Sequence, residues 1–223
     1  MYNVHFRFRE SPFGVTPDPQ IYYSNAVNRE AWATLRYGIE GRKGFIVIAG
    51  EAGTGKTTLL RKAMHSFGPN LETAYISHTL VSSGPELLGL ILTDLGLADY
   101  PENSPAMIAR LYDYAIEQFK SDKIVALLID EAQDLSPQCL EELRLLGNLE
   151  TDKQKLLQIV LVGQPELEEK LDRPDLRQLK HRVALRCRLE PQGSAGLVDH
   201  VDRLVRQVPG IDVPLGVFRG GHG

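Results

Sequence analysis

Short apolar runs alternate with amphipathic stretches along most of this 223-residue chain. Four of the runs are almost continuously apolar or β-branched, whereas the last one alternates with arginines. The runs predict five β-strands, at residues 45–49, 74–77, 124–129, 157–162 and 183–189. Near-continuous apolar runs are typical of strands that are buried on both faces, and the alternating run is typical of a strand at a sheet edge.

Residues with helical periodicity fill the intervals between these strands. Apolar residues recur at helical spacing after Asn28, a candidate N-cap, and continue until Gly41. Further helices are predicted at residues 57–67, 85–97, 105–119 and 137–149. Because strands and helices alternate, the pattern predicts a three-layer α/β/α fold with a parallel sheet between helices.

The two ends of the chain differ from its middle. Prolines at positions 12, 17 and 19 predict an extended N-terminal strap within residues 1–26. Near the other end, residues 192–207 fit one helix, but the Pro- and Gly-rich residues after them cannot build a second compact core. We therefore expect one domain at 1–190, strap included, and a partly disordered segment at 191–223.

Composition narrows the class of protein. The chain is 43% hydrophobic and 24% charged, and no apolar run approaches the roughly 20 residues of a membrane-spanning helix. No secretory signal is visible at the start, so we expect a cytoplasmic protein without a membrane span. A net charge of −4 provides no overall attraction to nucleic acid. Cys139 and Cys187 lack metal-ligand spacing and predict no disulfide framework.

Residues 50–57 match the pattern G-x-x-x-x-G-K-[ST], after a predicted strand and before a predicted helix. In that context, the glycines let backbone amides wrap around phosphates, and the positive end of the helix adds to the anion site. We expect Lys56 to contact the β- and γ-phosphates of ATP and the Thr57 hydroxyl to ligate Mg²⁺. The predicted nucleotide-binding residues are Gly50, Glu51, Ala52, Gly53, Thr54, Gly55, Lys56, Thr57 and Thr58.

An acidic pair follows the predicted strand at 124–129. The carboxyl ends of parallel strands meet at one edge of a sheet, so Asp130 and Glu131 should lie beside the phosphate loop. We expect Asp130 to hold Mg²⁺ together with Thr57, and Glu131 to polarise the water that attacks the γ-phosphate. On its own the pair could be an ordinary acidic turn, but combined with the loop it predicts Mg²⁺-dependent ATP hydrolysis.

Further short motifs extend through residues 1–190, namely Pro12-Phe13, Thr16-Pro17-Asp18-Pro19, Tyr37-Gly38-Ile39-Glu40, Asp130-Glu131-Ala132-Gln133, Leu143-Arg144-Leu145-Leu146, Asn148-Leu149-Glu150-Thr151 and Gly163-Gln164-Pro165-Glu166-Leu167. With the phosphate loop, they resemble the AAA+ ATPases of the general secretion pathway protein A (ExeA) type. That cytoplasmic family is linked to bacterial envelope export machines and, in relatives, to DNA transposition. The resemblance implies a P-loop NTPase fold of the AAA+/ASCE class, with a five-stranded sheet in the order 5-1-4-3-2.

The resemblance also implies roles for residues that spacing alone does not identify. Gln164 resembles the sensor-1 residue that positions the attacking water, the alternative being an ordinary loop glutamine. Arg182 resembles the arginine finger that enters a neighbouring subunit's site, and Arg177 is the competing candidate. The alternative for both arginines is a solvated basic face, comprising Arg177, Lys180, Arg182, Arg186 and Arg188.

One expected part of the family pattern is missing. Relatives continue after the last strand into a helical lid with a Gly-x-Pro-Arg motif, but residues 197–204 resemble only the first lid helix and that motif does not occur before Gly223. We therefore expect a truncated C-terminal lid and looser nucleotide binding, unless a partner completes the site.

The function expected from these features is an ATPase that drives assembly of a bacterial secretion or envelope complex, as a homo-oligomer or with a partner ATPase subunit. One alternative is an ATP-gated regulator of transposition that contacts DNA through the basic strip at 177–188, and salt-dependent DNA binding would distinguish it. Another is a lidless fragment that binds ATP with little turnover. A DEAD-box helicase is excluded because position 133 is Gln and the chain is too short for two helicase lobes.

Overall fold

The computed structural model describes residues 26–77, 81–97 and 103–190. The strands are β1 (Phe45–Gly50), β2 (Leu71–Ile76), β3 (Ile124–Ile129), β4 (Leu157–Gly163) and β5 (Val183–Leu189). The helices are α1 (Ala26–Glu40), α2 (Lys56–Ser66), α3 (Gly84–Asp94), α4 (Ser104–Lys120), α5 (Pro137–Leu146), α6 (Glu166–Leu171) and α7 (Arg177–Lys180). The predicted strap before Ala26 and the predicted segment at 191–223 lie outside the described residues.

The five strands form a single parallel sheet in the order β2-β3-β4-β1-β5. Read from the other edge, this is the predicted order 5-1-4-3-2, so the predicted fold class is confirmed. The three central strands β3, β4 and β1 are buried at almost every position, which explains their near-continuous apolar sequence. The carboxyl ends of these strands lie at the same end of the sheet, where the phosphate loop follows β1 and the acidic pair follows β3.

Each face of the sheet is covered by its own helical layer. On one face, α1 and α2 pack on apolar residues such as Ile46, Ile48 and Leu128. The other five helices contribute to a larger core that includes Val47, Leu127 and similar residues of the opposite face. Burying one such aliphatic side chain contributes about 1.5–3 kcal/mol. The core that α1 and α2 form with the sheet therefore holds α2, which begins directly after the phosphate loop, in a defined position.

The edge strand β2 differs from its prediction. It begins at Leu71, three residues before the predicted start, and includes Glu72 and Thr73. Among the described strands β2 pairs only with β3, so parts of its side chains reach solvent, and Glu72 Oε1 accepts a hydrogen bond from Lys123 Nζ at 2.6 Å. Polar residues of this kind interrupt the apolar run from which a buried strand is predicted.

Two helix predictions need correction. Helix α1 begins at Ala26, so Asn28 lies buried within the helix and the prediction that it is the N-cap was wrong. Helix α6 was not predicted, because its six residues are too few to display a helical repeat. Among the described residues, no helix has the length and apolar character needed to cross a bilayer.

Candidate nucleotide-binding site

The loop between β1 and α2 depends on glycine at several positions. Gly53 and Gly55 have φ values of 77° and 89°, in the left-handed region that residues with a Cβ disfavour. Gly50 lies so close to β5 that a Cβ there would be 2.7 Å from the Leu189 carbonyl oxygen. The chain then enters α2 at Lys56, where the first amides have no acceptor within the helix. These free amides and the helix dipole suit an anion.

Lys56 is enclosed by the loop rather than extended into solvent. It is 6% exposed, and its Nζ donates to the Gly50 carbonyl at 2.8 Å and to the Glu51 carbonyl at 2.9 Å. Thr54 Oγ1 donates to the same Glu51 carbonyl at 2.9 Å. Of the other predicted binding residues, Glu51, Ala52 and Gly53 form the exposed tip, and Thr58 is half-buried. The positively charged Lys56 ammonium group thus lies inside the curve of the loop.

Asp130 lies directly beside the start of α2. Thr57 Oγ1 donates to Asp130 Oδ2 at 2.7 Å, and Tyr75 Oη from β2 donates to the same oxygen at 3.1 Å. The backbone N–H of Glu131 donates to Oδ1 at 3.1 Å. Burial and the Asp130 charge raise the pKa of the Tyr75 phenol to about 12, so Tyr75 stays a donor. The structure therefore brings together the two residues that were predicted to share a magnesium ion.

Glu131 and Gln164 are joined through a third residue, Gln133. Gln133 Nε2 donates to Glu131 Oε2 at 2.8 Å, and Gln133 Oε1 accepts from the Gln164 backbone N–H at 3.0 Å. Gln164 follows β4, which lies between β3 and β1 in the sheet. Glu131 has a φ of 50°, a conformation that costs about 1–3 kcal/mol in a non-glycine residue. The predicted base and sensor thus belong to one hydrogen-bonded group.

Three residues of this site were not among the site residues predicted from the sequence, namely Tyr75, Gln133 and Lys170. Lys170 Nζ from α6 donates to the backbone carbonyls of Gln133 and, at 2.9 Å, of Leu135. Only Gln133 had a sequence signal, because it belongs to the motif that begins at Asp130. Tyr75 and Lys170 come from distant segments, and only the folded sheet brings them to this edge.

Arg182 lies at the opposite end of the sheet from the phosphate loop. It precedes β5, and it is half-buried beside a cavity of about 350 Å³ whose lining includes Lys43, Glu150 and Lys155. Its Nη1 donates to the Arg144 carbonyl at 3.5 Å. The competing Arg177 is exposed and donates to His181 Nε2 at 3.4 Å. Because Val183, the residue after Arg182, pairs with Phe45 at the start of β1, Arg182 cannot reach the phosphate loop that follows β1 in its own chain.

The residues beside the loop have donor chemistry that fits magnesium. Mg²⁺ prefers oxygen ligands and usually binds through one or two protein groups together with phosphate oxygens. The Thr57 hydroxyl and the Asp130 carboxylate supply two such oxygens, 2.7 Å apart. In the part of the chain that the structure covers, no group of three or more His, Cys, Asp or Glu side chains could hold a metal. By their donor chemistry, Thr57 and Asp130 would hold a magnesium ion together with phosphate oxygens of a nucleotide.

Known proteins share this architecture. The family model described as an AAA domain matches residues 39–171. General secretion pathway protein A of Aeromonas hydrophila is 39% identical over 219 residues, which are 96% of this chain and 39% of that protein. The chain thus spans well under half of that relative's length.

Solved structures agree at the level of the fold. The Aeropyrum pernix ORC2 protein, in its ADPNP-ADP complexes, has a TM-score of 0.61 and 15% identity, with 86% of this chain and 56% of that chain covered. Domain III of the Thermotoga maritima replication initiation protein DnaA has a TM-score of 0.54 and 22% identity, covering 93% and 80%. By its family match and its P-loop NTPase architecture, the chain belongs to the AAA domain family.

Proposed function

We propose that this chain binds ATP with Mg²⁺ and hydrolyses it. The observation that supports the proposal most directly is the 2.7 Å contact between Thr57 Oγ1 and Asp130 Oδ2. It joins a loop suited to phosphates to a strand end suited to a metal, and a second carboxylate, Glu131, follows immediately. The site therefore has separate groups for the phosphates, the metal and the attacking water.

Each group has a distinct part in the proposed reaction. The amides of residues 50–58 bind the phosphates, and Lys56 neutralises part of their charge. Thr57 and Asp130 would hold magnesium, which when bound neutralises charge on the β- and γ-phosphate oxygens. Glu131 accepts a proton as the water oxygen bonds to the γ-phosphorus and the bond to the ADP oxygen breaks. Gln164 orients that water.

We further propose that a neighbouring subunit completes the site with Arg182. Arg182 lies at the end of the sheet opposite its own phosphate loop, so its contribution to catalysis requires a second copy of the chain or a partner ATPase subunit. An arginine that stabilises the transferred phosphoryl group increases the rate by about 10³- to 10⁵-fold. Arg182 is preferred to the exposed Arg177 because it lies directly before β5, where the resemblance to AAA+ ATPases places the arginine finger.

For the cellular role, we propose assembly of a bacterial secretion or envelope complex from the cytoplasm. The support is the similarity to general secretion pathway protein A, of which this chain spans 39%. DNA binding by the basic strip is less favoured, because Asp172 lies 2.8 Å from Lys180 and 4.0 Å from Arg186. A carboxylate among those cations weakens their attraction to phosphate.

Steady-state ATP turnover and ATP affinity of the purified chain test the hydrolysis proposal. Glu131→Gln should bind ATP as the wild type does but turn over about 10²- to 10⁴-fold more slowly, since only the proton acceptor is lost. Lys56→Ala should show both slower turnover and a lower affinity for ATP. Glu117→Gln, an exposed change on α4, is the matched control and should behave as the wild type. Normal turnover by Glu131→Gln would show that the base is assigned wrongly.

A further inference from the structure

The side chain of Gln133 makes contacts on both sides of the site. Its Nε2 donates to Glu131 Oε2 at 2.8 Å and to Asp134 Oδ2 at 3.3 Å. Its Oε1 accepts from the backbone N–H of Gln164 at 3.0 Å. Glu131 lies on the turn after β3, and Gln164 lies on the turn after β4. One carboxamide therefore connects the turns of two neighbouring strands.

A carboxamide suits this position because both of its ends are needed. It must donate to a carboxylate on one side and accept from an amide N–H on the other, and among side chains of this length Gln alone does both. A carboxylate in its place would still accept from Gln164 but would repel Glu131. An isosteric apolar side chain would fill the space and make neither hydrogen bond.

The surroundings leave Gln133 little freedom to move. A Cβ at position 163 would be 2.7 Å from Gln133 Oε1, so Gly163 provides the space that the carboxamide occupies. The backbone carbonyl of Gln133 accepts from Lys170 Nζ, which also donates to Leu135. Helix α6 thereby holds the turn against the end of β4.

We propose that Gln133 is a positioning residue that sets the orientation of the Glu131 carboxylate and couples it to the turn that carries Gln164. The inference rests on the proposed ATP hydrolysis. Glu131 is held at a φ of 50° and gains a side-chain donor from Gln133, so its carboxylate direction depends on where the β4 turn lies. A shift of Gln164 toward or away from the nucleotide therefore moves the base.

Two variants separate the two hydrogen bonds, and steady-state kinetics measures their effect. Gln133→Met keeps the volume and removes both bonds, whereas Gln133→Glu keeps the acceptor for Gln164 and removes the donor to Glu131. We expect kcat to fall about 10- to 100-fold in both, with KM for ATP nearly unchanged, because misplacing a catalytic group by about 1 Å has effects of this size. Gln138→Met, an exposed change on α5, is the control and should leave both parameters unchanged.

Amide hydrogen exchange of Gln164, followed by NMR in the same proteins, gives a readout that does not need turnover. Exchange should accelerate in Gln133→Met, which removes the acceptor, and stay close to wild type in Gln133→Glu. The NMR signal of the Glu131 side-chain carboxyl carbon should change in both. This pattern with a reduced kcat supports the coupling.

The two proposals fail in different ways. If the wild type does not hydrolyse ATP, the proposed function fails, and the coupling is then judged on the NMR signals alone. Normal kcat in Gln133→Met, or a kcat loss matched by an equal rise in KM, would overturn the positioning role. Unchanged Gln164 exchange and an unchanged Glu131 signal in Gln133→Met would overturn it whatever the turnover.

Discussion

At the scale of single residues, the candidate site holds charges that are costly to bury. Lys56 is 6% exposed and Asp130 is 3% exposed. An isolated buried charge is strongly unfavourable, and hydrogen bonds must offset that cost. Lys56 donates to two loop carbonyls, and Asp130 accepts from the side chains of Thr57 and Tyr75 and from the Glu131 amide. The cluster is therefore held in place before any substrate arrives.

Alkaline unfolding tests the contact between Tyr75 and Asp130. The pKa of the Tyr75 phenol is raised from 10.0 to about 12, by burial first and then by the Asp130 charge. Above pH 10 the phenol ionises more readily in the unfolded chain, so the unfolded state gains stability. We expect the free energy of unfolding to fall as the pH rises from about 10 to about 12, and to fall less steeply in Tyr75→Phe.

Urea unfolding at a series of alkaline pH values measures this slope. Tyr114, whose pKa burial and Glu72 also raise to about 12, contributes in the same direction and is present in both proteins, so their difference isolates Tyr75. Tyr37→Phe changes an exposed phenol and is the control. Equal slopes for Tyr75→Phe and the wild type would contradict the prediction.

At the scale of elements, the helix starts follow local chemistry closely. Helices α3, α4 and α5 each have proline in the first turn and a capping side chain before it, from Ser83, Asn103 and Ser136 respectively. A capping side chain accepts one of the first amides, which have no acceptor inside the helix. These starts could therefore be predicted to within one residue.

Removing the cap of α4 should affect stability without affecting the site. Asn103 Oδ1 accepts from the Ala106 amide at 3.1 Å. Asn103→Ala should lower the free energy of unfolding by about 1 kcal/mol, whereas Asn103→Asp keeps an acceptor and should lower it much less. Urea midpoints and ATP affinity check this together. Helix α4 packs on the face of the sheet opposite α2. A loss of ATP affinity in Asn103→Ala would therefore contradict the expectation that a change on one face leaves the loop before α2 undisturbed.

At the scale of the whole molecule, the parallel sheet separates two groups of charged residues. Lys56, Asp130 and Glu131 lie at the end of the sheet where the carboxyl ends of the strands meet. Arg182 lies at the opposite end, beside the cavity lined by Lys43 and Lys155. In a parallel sheet the amino ends of all strands lie on one side and the carboxyl ends on the other. One copy of the chain therefore cannot bring Arg182 to its own phosphate loop. If Arg182 acts on a bound nucleotide, that nucleotide must therefore lie in another subunit.

Mixing two inactive variants tests this cooperation. Glu131→Gln retains Arg182, and Arg182→Ala retains Glu131, so a mixed oligomer contains some interfaces with both groups intact. We expect each variant alone to be slowed by about 10²-fold or more and the mixture to regain part of the wild-type turnover, increasing with protein concentration. Arg177→Ala is the matched control and should remain active. A mixture no more active than its components would rule out Arg182 as a group acting between subunits.

The sequence alone determined the class of fold and the phosphate loop. Apolar runs predicted the central strands because residues buried on both faces must be apolar, and β3 has the predicted bounds. The run that alternates with arginines predicted the edge strand β5, whose bounds also agree. The loop could be predicted because its function depends on local conformation, with Gly53 and Gly55 at positive φ and Lys56 and Thr57 directly following. Information of this kind is contained in a few consecutive residues.

Only the tertiary structure decided which distant residues share the site. Tyr75 on β2, Gln133 after β3 and Lys170 on α6 meet there because the sheet places strands side by side that are far apart in sequence. Gln133 belongs to the motif that begins at Asp130, but tyrosines and lysines occur throughout the chain, so the spacing of Tyr75 and Lys170 carries no signal of these contacts. The reason is that a parallel sheet sets neighbours by strand order, through long crossover connections that local sequence patterns do not encode.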